Sequence, residues 1–141
     1  MKKVLTCDFD DTLVHTSPVF DGVLWTSTGT MKAHASVCNF VWEKIRESWE
    51  AHIVTFRHES TGAEEVEAFL DRYKIPFKSV HYTEGGNKTP ILKKLNSSLH
   101  IDDNVEVCML ASLAGIDVLL VDDKKMHKSN TTADLFKKIY V

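Results

Sequence analysis

The chain has 141 residues, 43% of them hydrophobic and 26% charged, with a formal net charge of −3 at pH 7. That is enough chain for one ordinary globular domain, residues 1–141, and too little for a second. A net negative balance provides no general field for polyanions, so nucleic-acid contact would need a local basic patch; the one dense patch, Lys124, Lys125, His127 and Lys128, reads as a solvated loop.

The start, Met1-Lys2-Lys3, is basic, but Asp8 and Asp10 interrupt the following apolar run too soon for a signal peptide, and nothing approaches a membrane span. Cys7, Cys38 and Cys108 are odd in number and embedded in apolar sequence, which suits reduced, buried thiols in a cytoplasmic protein.

In chain order, residues 4–7 form a short apolar run that reads as a strand, followed at once by Asp8-Phe9-Asp10-Asp11-Thr12-Leu13. Residues 14–31, rich in Thr, Ser and Gly, read as a small hairpin or flap, in which Trp25 either packs the flap onto the body or stacks on a substrate. Val37, Phe40, Val41, Ile45 and Trp49 recur at three- and four-residue steps and predict an amphipathic helix over 33–49. A strand at 51–56 comes next. Thr61 then caps a helix through Glu64, Val66, Phe69 and Leu70 that ends before Pro76. A strand at 79–82 and a helix opened by Thr89-Pro90 follow. The rest is a strand at 98–101, a helix at 104–114 closed by Gly115, a strand at 116–121 and a helix at 131–140. Strands alternating with helices predict an α/β, three-layer, Rossmann-like sandwich with about five parallel strands.

Asp8 and Asp10 sit where the first strand ends, two residues apart. If the chain stays extended, both carboxylates face one side and could share a hard cation, with Phe9 on the other side. In an open parallel sheet the carboxyl ends of strands border the ligand crevice, so this placement points to metal-assisted phosphoryl chemistry. An acidic turn is the plain alternative, and a bare Asp-x-Asp also occurs in sugar-nucleotide transferases and calcium loops.

Three later features decide between them. Thr55 ends the second strand with a hydroxyl, and the turn amides beyond it add donors for an oxyanion. Lys88, in Gly85-Gly86-Asn87-Lys88-Thr89, stands at the mouth of a helix where a phosphate is favoured, although the spacing does not match a nucleotide-binding P-loop. Asp102 and Asp103 end the fourth strand with two more acids, which would repel the first pair unless a cation lies between. The seven histidines, His15, His34, His52, His58, His81, His100 and His127, show no zinc spacing on one helix; His58 is the one placed to border a substrate.

This ordered set resembles the haloacid dehalogenase superfamily of phosphohydrolases, whose motifs run Asp-x-Asp-x-Thr, a strand-end Thr or Ser, a lysine, then an acidic pair. The likeness spans nearly the whole chain. It implies that Asp8 is the nucleophile, forming an aspartyl-phosphate, and that Asp10 is the general acid and base. It also implies that Thr55 and Lys88 grip the phosphate oxygens. By the same resemblance Mg2+ is held by Asp8, the backbone carbonyl of Asp10 and the 102–103 pair, with Asp103 as the direct ligand and Asp102 orienting Lys88 or a metal-bound water; an exchange of these two roles stays open.

Neither gap between motifs has room for a cap domain, so the chain looks like a capless member. Such members act on accessible phosphates, here a nucleotide, a polynucleotide end, a phosphoprotein or a small metabolite, or they borrow a second subunit as lid. The expected function is that of a magnesium-dependent phosphomonoesterase. The alternative is a non-catalytic phosphate- and metal-binding or phosphoacceptor module, against which Lys88 and the Asp8-Asp10 spacing count; transfer to an acceptor other than water needs no different residues.

Overall fold

The computed structural model describes residues 2–16, 19–20, 25–26, 32–123 and 132–141, with 19–20 and 25–26 described by backbone alone. At its centre lies β1 (Val4–Cys7), buried along its whole length. Its even and odd residues face opposite sides of the sheet, so both faces must be covered. β1 pairs in parallel with β6 (Glu50–Thr55) on one side, Cys7 opposite Ile53, and with β8 (Leu99–Asp102) on the other, Cys7 opposite Ile101. The sheet continues to β7 (Ser79–Tyr82) beyond β6, and to β9 (Asp117–Asp122) and β10 (Lys138–Tyr140) beyond β8.

The resulting order, β10-β9-β8-β1-β6-β7, is all parallel. Strand succession runs one way from β1 to β7 and the other way from β8 to β10. The direction therefore reverses between β1 and β8, and the crevice outside their carboxyl ends is where an open α/β sheet receives a ligand. Asp8 follows β1 and Asp103 follows β8 at that point.

The two faces differ in chemistry. One face buries Leu5, Cys7, Ile53 and Ile101 against Val37 and Val41 of α1 (Ala35–Arg46) and Val66 and Phe69 of α2 (Glu59–Tyr73). The other joins Val54 to Leu92 of α3 (Thr89–Lys94) and Ala111 of α4 (Val105–Leu113). That second face also carries fully buried polar groups, Thr6 and His100. Replacing Ile53, completely buried on the apolar face, by Ala is expected to cost about 2–5 kcal/mol, read as a lower denaturant midpoint at unchanged slope.

Asn104 caps α4 by accepting from the Val107 amide at 3.1 Å, and Gly115, at φ 83°, takes the left-handed turn that lets the chain enter β9. The predicted flap appears as two short antiparallel ladders, β2 (Val14–His15) with β5 (Lys32–Ala33) and β3 (Val19–Phe20) with β4 (Trp25–Thr26). The side chain of Trp25 and the basic cluster at 124–128 lie outside the described residues.

Three expectations are corrected. The helix expected at 131–140 is instead a single 3₁₀ turn, Ala133–Leu135, followed by β10, which makes six parallel strands among the described residues rather than five. The exposed edge of β9 decides this: Ile139 pairs beside Val121, and the Lys138 ammonium reaches Asp134 at 2.9 Å and Asp122 at 3.6 Å. The first helix stops at Arg46, because Ser48 turns left-handed at φ 70° to start the return to β6. The second has its N-cap at His58 rather than at Thr61 and starts at Glu59, which moves Gly62 deeper into the helix. Among the described residues no helix is long and apolar enough to cross a membrane.

Candidate active site

β1 delivers Asp8 into the crevice, and its amide donates to the Ile101 carbonyl at 2.9 Å, fixing the two strand ends together. The chain then curls. The amides of Thr12, Leu13 and Val14 all converge on the Phe9 carbonyl at 3.3, 3.0 and 3.3 Å, and Asp11 adopts φ 56°. The curl returns the Thr12 hydroxyl to the carboxylates, 3.4 Å from Asp8 Oδ2 and 3.2 Å from Asp103 Oδ1.

Lys88, the residue before α3, is 1% exposed and its Nζ lies 2.9 Å from Asp8 Oδ1 and 2.8 Å from Asp102 Oδ2. Asp102 accepts three hydrogen bonds. Its Oδ2 accepts from Lys88 and from His100 Nε2 at 2.9 Å, and its Oδ1 accepts from the Asn104 amide at 3.0 Å. Behind it, His100 Nδ1 meets the Thr6 hydroxyl at 2.8 Å, which meets the Ser97 hydroxyl at 2.7 Å. A carboxylate only accepts, so His100 Nε2 carries a proton.

The structure thus brings Asp8, Lys88, Asp102 and Asp103 together, and carboxylate oxygens of the three acids lie within 4.8 Å of one another. Three carboxylates face one ammonium, so electrostatics decides which acid ionises. Burial would raise Asp102, but the His100 hydrogen bond and the Lys88 charge outweigh it and hold it well below the usual carboxylate range. Burial pushes Asp8 well up, helped by the charge of Asp102 against the opposing pull of Lys88. Burial also takes Asp103 up to about 6, with Asp102 and Asp11 adding to it. Lys88 stays charged: burial opposes the ammonium, but Asp8 and Asp102 raise it above its ordinary value.

Such a set suits a hard divalent cation. The donors are all oxygen, and two of the three acids resist ionising without added positive charge. Asp102 is the most engaged of the three, accepting from Lys88, His100 and the Asn104 amide, while Asp8 meets Lys88 and the Thr12 hydroxyl and Asp103 meets the Thr12 hydroxyl.

Asp10 departs from the extended geometry that would let it share a cation with Asp8 through its side chain. Its carboxylate turns to Arg57, with Nη2 to Oδ1 at 2.8 Å and Nε to Oδ2 at 2.9 Å. Thr55, fully buried at the end of β6, accepts from the Arg57 amide at 3.2 Å. His58 is exposed and precedes α2. Two contributors escaped the sequence reading, Arg57 as a side chain and His100. The periodicity that marks strand residues gave no sign that Thr6 and His100 share a face, although the paired register of β1 and β8 aligns them.

Beside Asp103 a cleft of about 240 Å³ opens, bordered by Asp11, His15, His34 and Asp123. Its lining is mostly carboxylate and imidazole.

No protein-family model matches the sequence, and no curated protein matches it. Solved structures do. One described as a β-phosphoglucomutase from Thermotoga maritima superposes over 98% of this chain and 93% of its own, with a TM-score of 0.64 and 13% identity. D,D-heptose 1,7-bisphosphate phosphatase from B. bronchiseptica, complexed with magnesium and phosphate, superposes over 84% of this chain and 80% of its own, with a TM-score of 0.56 and 11% identity. At these identities the likeness is one of fold.

Proposed function

We propose, from the premise that this chain has the haloacid dehalogenase fold, that it is a magnesium-dependent phosphomonoesterase working through an aspartyl-phosphate. One observation carries the proposal: a buried lysine bridges the strand-end Asp8 to Asp102 at the point where strand order reverses, with Asp103 alongside. A substrate phosphoryl group placed there meets a carboxylate, a fixed ammonium and a hydroxyl at once.

In this scheme a carboxylate oxygen of Asp8 attacks phosphorus and the ester oxygen departs, taking a proton from the Asp10 carboxyl. Water then attacks the phosphorus of the aspartyl-phosphate, gives its proton to Asp10, and releases phosphate and free Asp8. Lys88 and the Thr55 hydroxyl hold the non-transferring oxygens, whose charge grows toward the transition state. Asp8 and Asp103, with the backbone carbonyl of Asp10, would hold Mg2+, which when bound offsets phosphoryl charge. Asp102, which accepts from three donors including Lys88, would hold the lysine, leaving the direct ligand role to Asp103 in this scheme.

As a single capless domain the protein would leave its site open, suiting phosphates presented on accessible groups, such as nucleotides or polynucleotide ends; a second subunit is the natural lid. The acidic lining of the cleft weighs against a long nucleic acid. Three free, buried thiols suit a reducing cytoplasm.

The test is phosphate release from para-nitrophenyl phosphate and from a panel of mononucleotides, sugar phosphates, phosphopeptides and phosphorylated oligonucleotides, with Mg2+ and with EDTA. Release that EDTA abolishes is expected; magnesium uptake without turnover of any substrate would identify the binding module instead.

A pH dependence follows. Between the ordinary carboxyl value of 3.8 and about 6, Asp103 keeps its proton in the folded chain while the unfolded chain has lost it. The folded state then binds more protons, so metal-free stability falls as pH rises through that window. Mg2+ favours the ionised acid, and its stabilising effect is expected to be larger at pH 7 than at pH 5. Thermal unfolding with and without Mg2+ at the two pH values checks this, and an equal shift at both would contradict it.

A further inference from the structure

We propose that Arg57 is the positioning residue of Asp10, and that Gly62 is in α2 to seat it. The inference rests on the role given to Asp10 above and concerns what holds that side chain in place.

The contacts divide into a seat and a grip. In the seat, Nη1 donates to the Gly62 carbonyl and to Glu65 Oε2, each at 3.0 Å, and the guanidinium lies 5.2 Å from the centroid of the Phe9 ring. None of these involves Asp10. In the grip, Nε and Nη2 take the two oxygens of Asp10 as a fork. A planar fork fixes the plane of the carboxylate as well as its position, which a single donor does not.

Gly62 supplies an independent observation. Glycine inside a helix costs about 1 kcal/mol relative to Ala, yet one stands in the first turns of α2. A Cβ built there would lie 2.9 Å from Arg57 Cβ, 3.1 Å from Cδ and 3.2 Å from Cγ. The missing side chain is the space through which the arginine stem passes on its way to Asp10. Arg57 is thereby anchored by α2 and Phe9, and Asp10, with its side chain 33% exposed, is the partner being oriented. Each Asp10 oxygen keeps a second lone pair, so the fork can aim the carboxyl at the leaving-group oxygen without covering it.

The test uses the full chain with para-nitrophenyl phosphate and Mg2+. Arg57→Ala is expected to lower kcat about 100-fold, the cost of a catalytic group displaced by about an ångström, with KM moved less than about threefold, since the lost interaction is not one of substrate binding. Guanidinium ion added to Arg57→Ala is expected to restore part of kcat, whereas Arg57→Lys, which keeps charge and stem, is expected to stay well below the parent. Gly62→Ala, which leaves Arg57 in the chain but blocks its path, is expected to lose kcat as well. The double variant Arg57→Ala/Gly62→Ala is expected to be no slower than Arg57→Ala alone, because the two residues act as one unit.

Parental kcat in Arg57→Ala, or a loss appearing in KM alone, would overturn the inference. So would fully multiplicative losses in the double variant. If Arg57→Ala does not fold, Arg57→Lys and Gly62→Ala decide by the same criteria. Failure of the underlying reading looks different: the parent protein would release no phosphate, or its release would be indifferent to Asp8→Asn.

Discussion

Asp8→Asn is expected to abolish phosphate release, a loss of at least about a thousandfold in kcat on the scale seen when a covalent nucleophile is removed, while the metal-free protein becomes no less stable. The two halves of that result come from one observation. Asp8 is buried beside Asp102 and Asp103, and burial and their charges together push its carboxyl up, with Lys88 pulling the other way. Its ionised form is therefore disfavoured without a metal, and a neutral amide of the same shape carries no such penalty. A residue that served only to hold the fold together would show the opposite stability change. Removing Asp8 also removes a proposed magnesium ligand, so the stabilising effect of Mg2+ in thermal unfolding is expected to shrink. Undiminished turnover in this variant would end the covalent scheme.

Lys88→Met is expected to have the largest effect on stability. It deletes the ammonium that joins Asp8 and Asp102 across 2.9 and 2.8 Å at 1% exposure. Breaking a buried pair by taking one partner costs about 3–5 kcal/mol, because the remaining charge is left uncompensated. In a chain of this size that lowers the melting temperature by roughly 10–20 °C. The loss should be smaller near pH 5, where Asp103, pushed up to about 6, is more protonated and the repulsion is weaker. Activity is expected to fall at least about a hundredfold as the phosphate loses its fixed cation. A variant as stable as its parent at pH 7 would show that the carboxylates are compensated by something other than Lys88.

Much of this arrangement was readable from the chain, for reasons that differ by element. Of the five strands that were legible, the inner ones show why: a parallel sheet covered on both faces demands continuous apolar runs, and Val4-Leu5, Ile53-Val54 and Leu119-Leu120-Val121 are such runs. The strand-end acids were legible because their position in sequence is their position in the crevice. Residues 138–140 were not: Lys138-Ile139-Tyr140 is too short to show a period, and pairing with β9 decides its conformation. Arg57 was passed over as a turn residue because its role depends on a glycine five positions on, in a helix whose N-cap the capping pattern misplaced by three residues. His100 was passed over because a lone histidine in an apolar strand gives no hint of its partners, Thr6 on a neighbouring strand and Asp102 two residues ahead.

The burial of Lys88 sets how the site answers to chemical modification. An ammonium held protonated by Asp8 and Asp102 and shut away from solvent is a poor nucleophile, so amine-acylating reagents will pass it over in the native protein while marking surface lysines such as Lys93 and Lys94. Slow labelling at this position would then time the local release of the ammonium from Asp8 and Asp102, and covalent inhibitors aimed at the lysine would find no handle there.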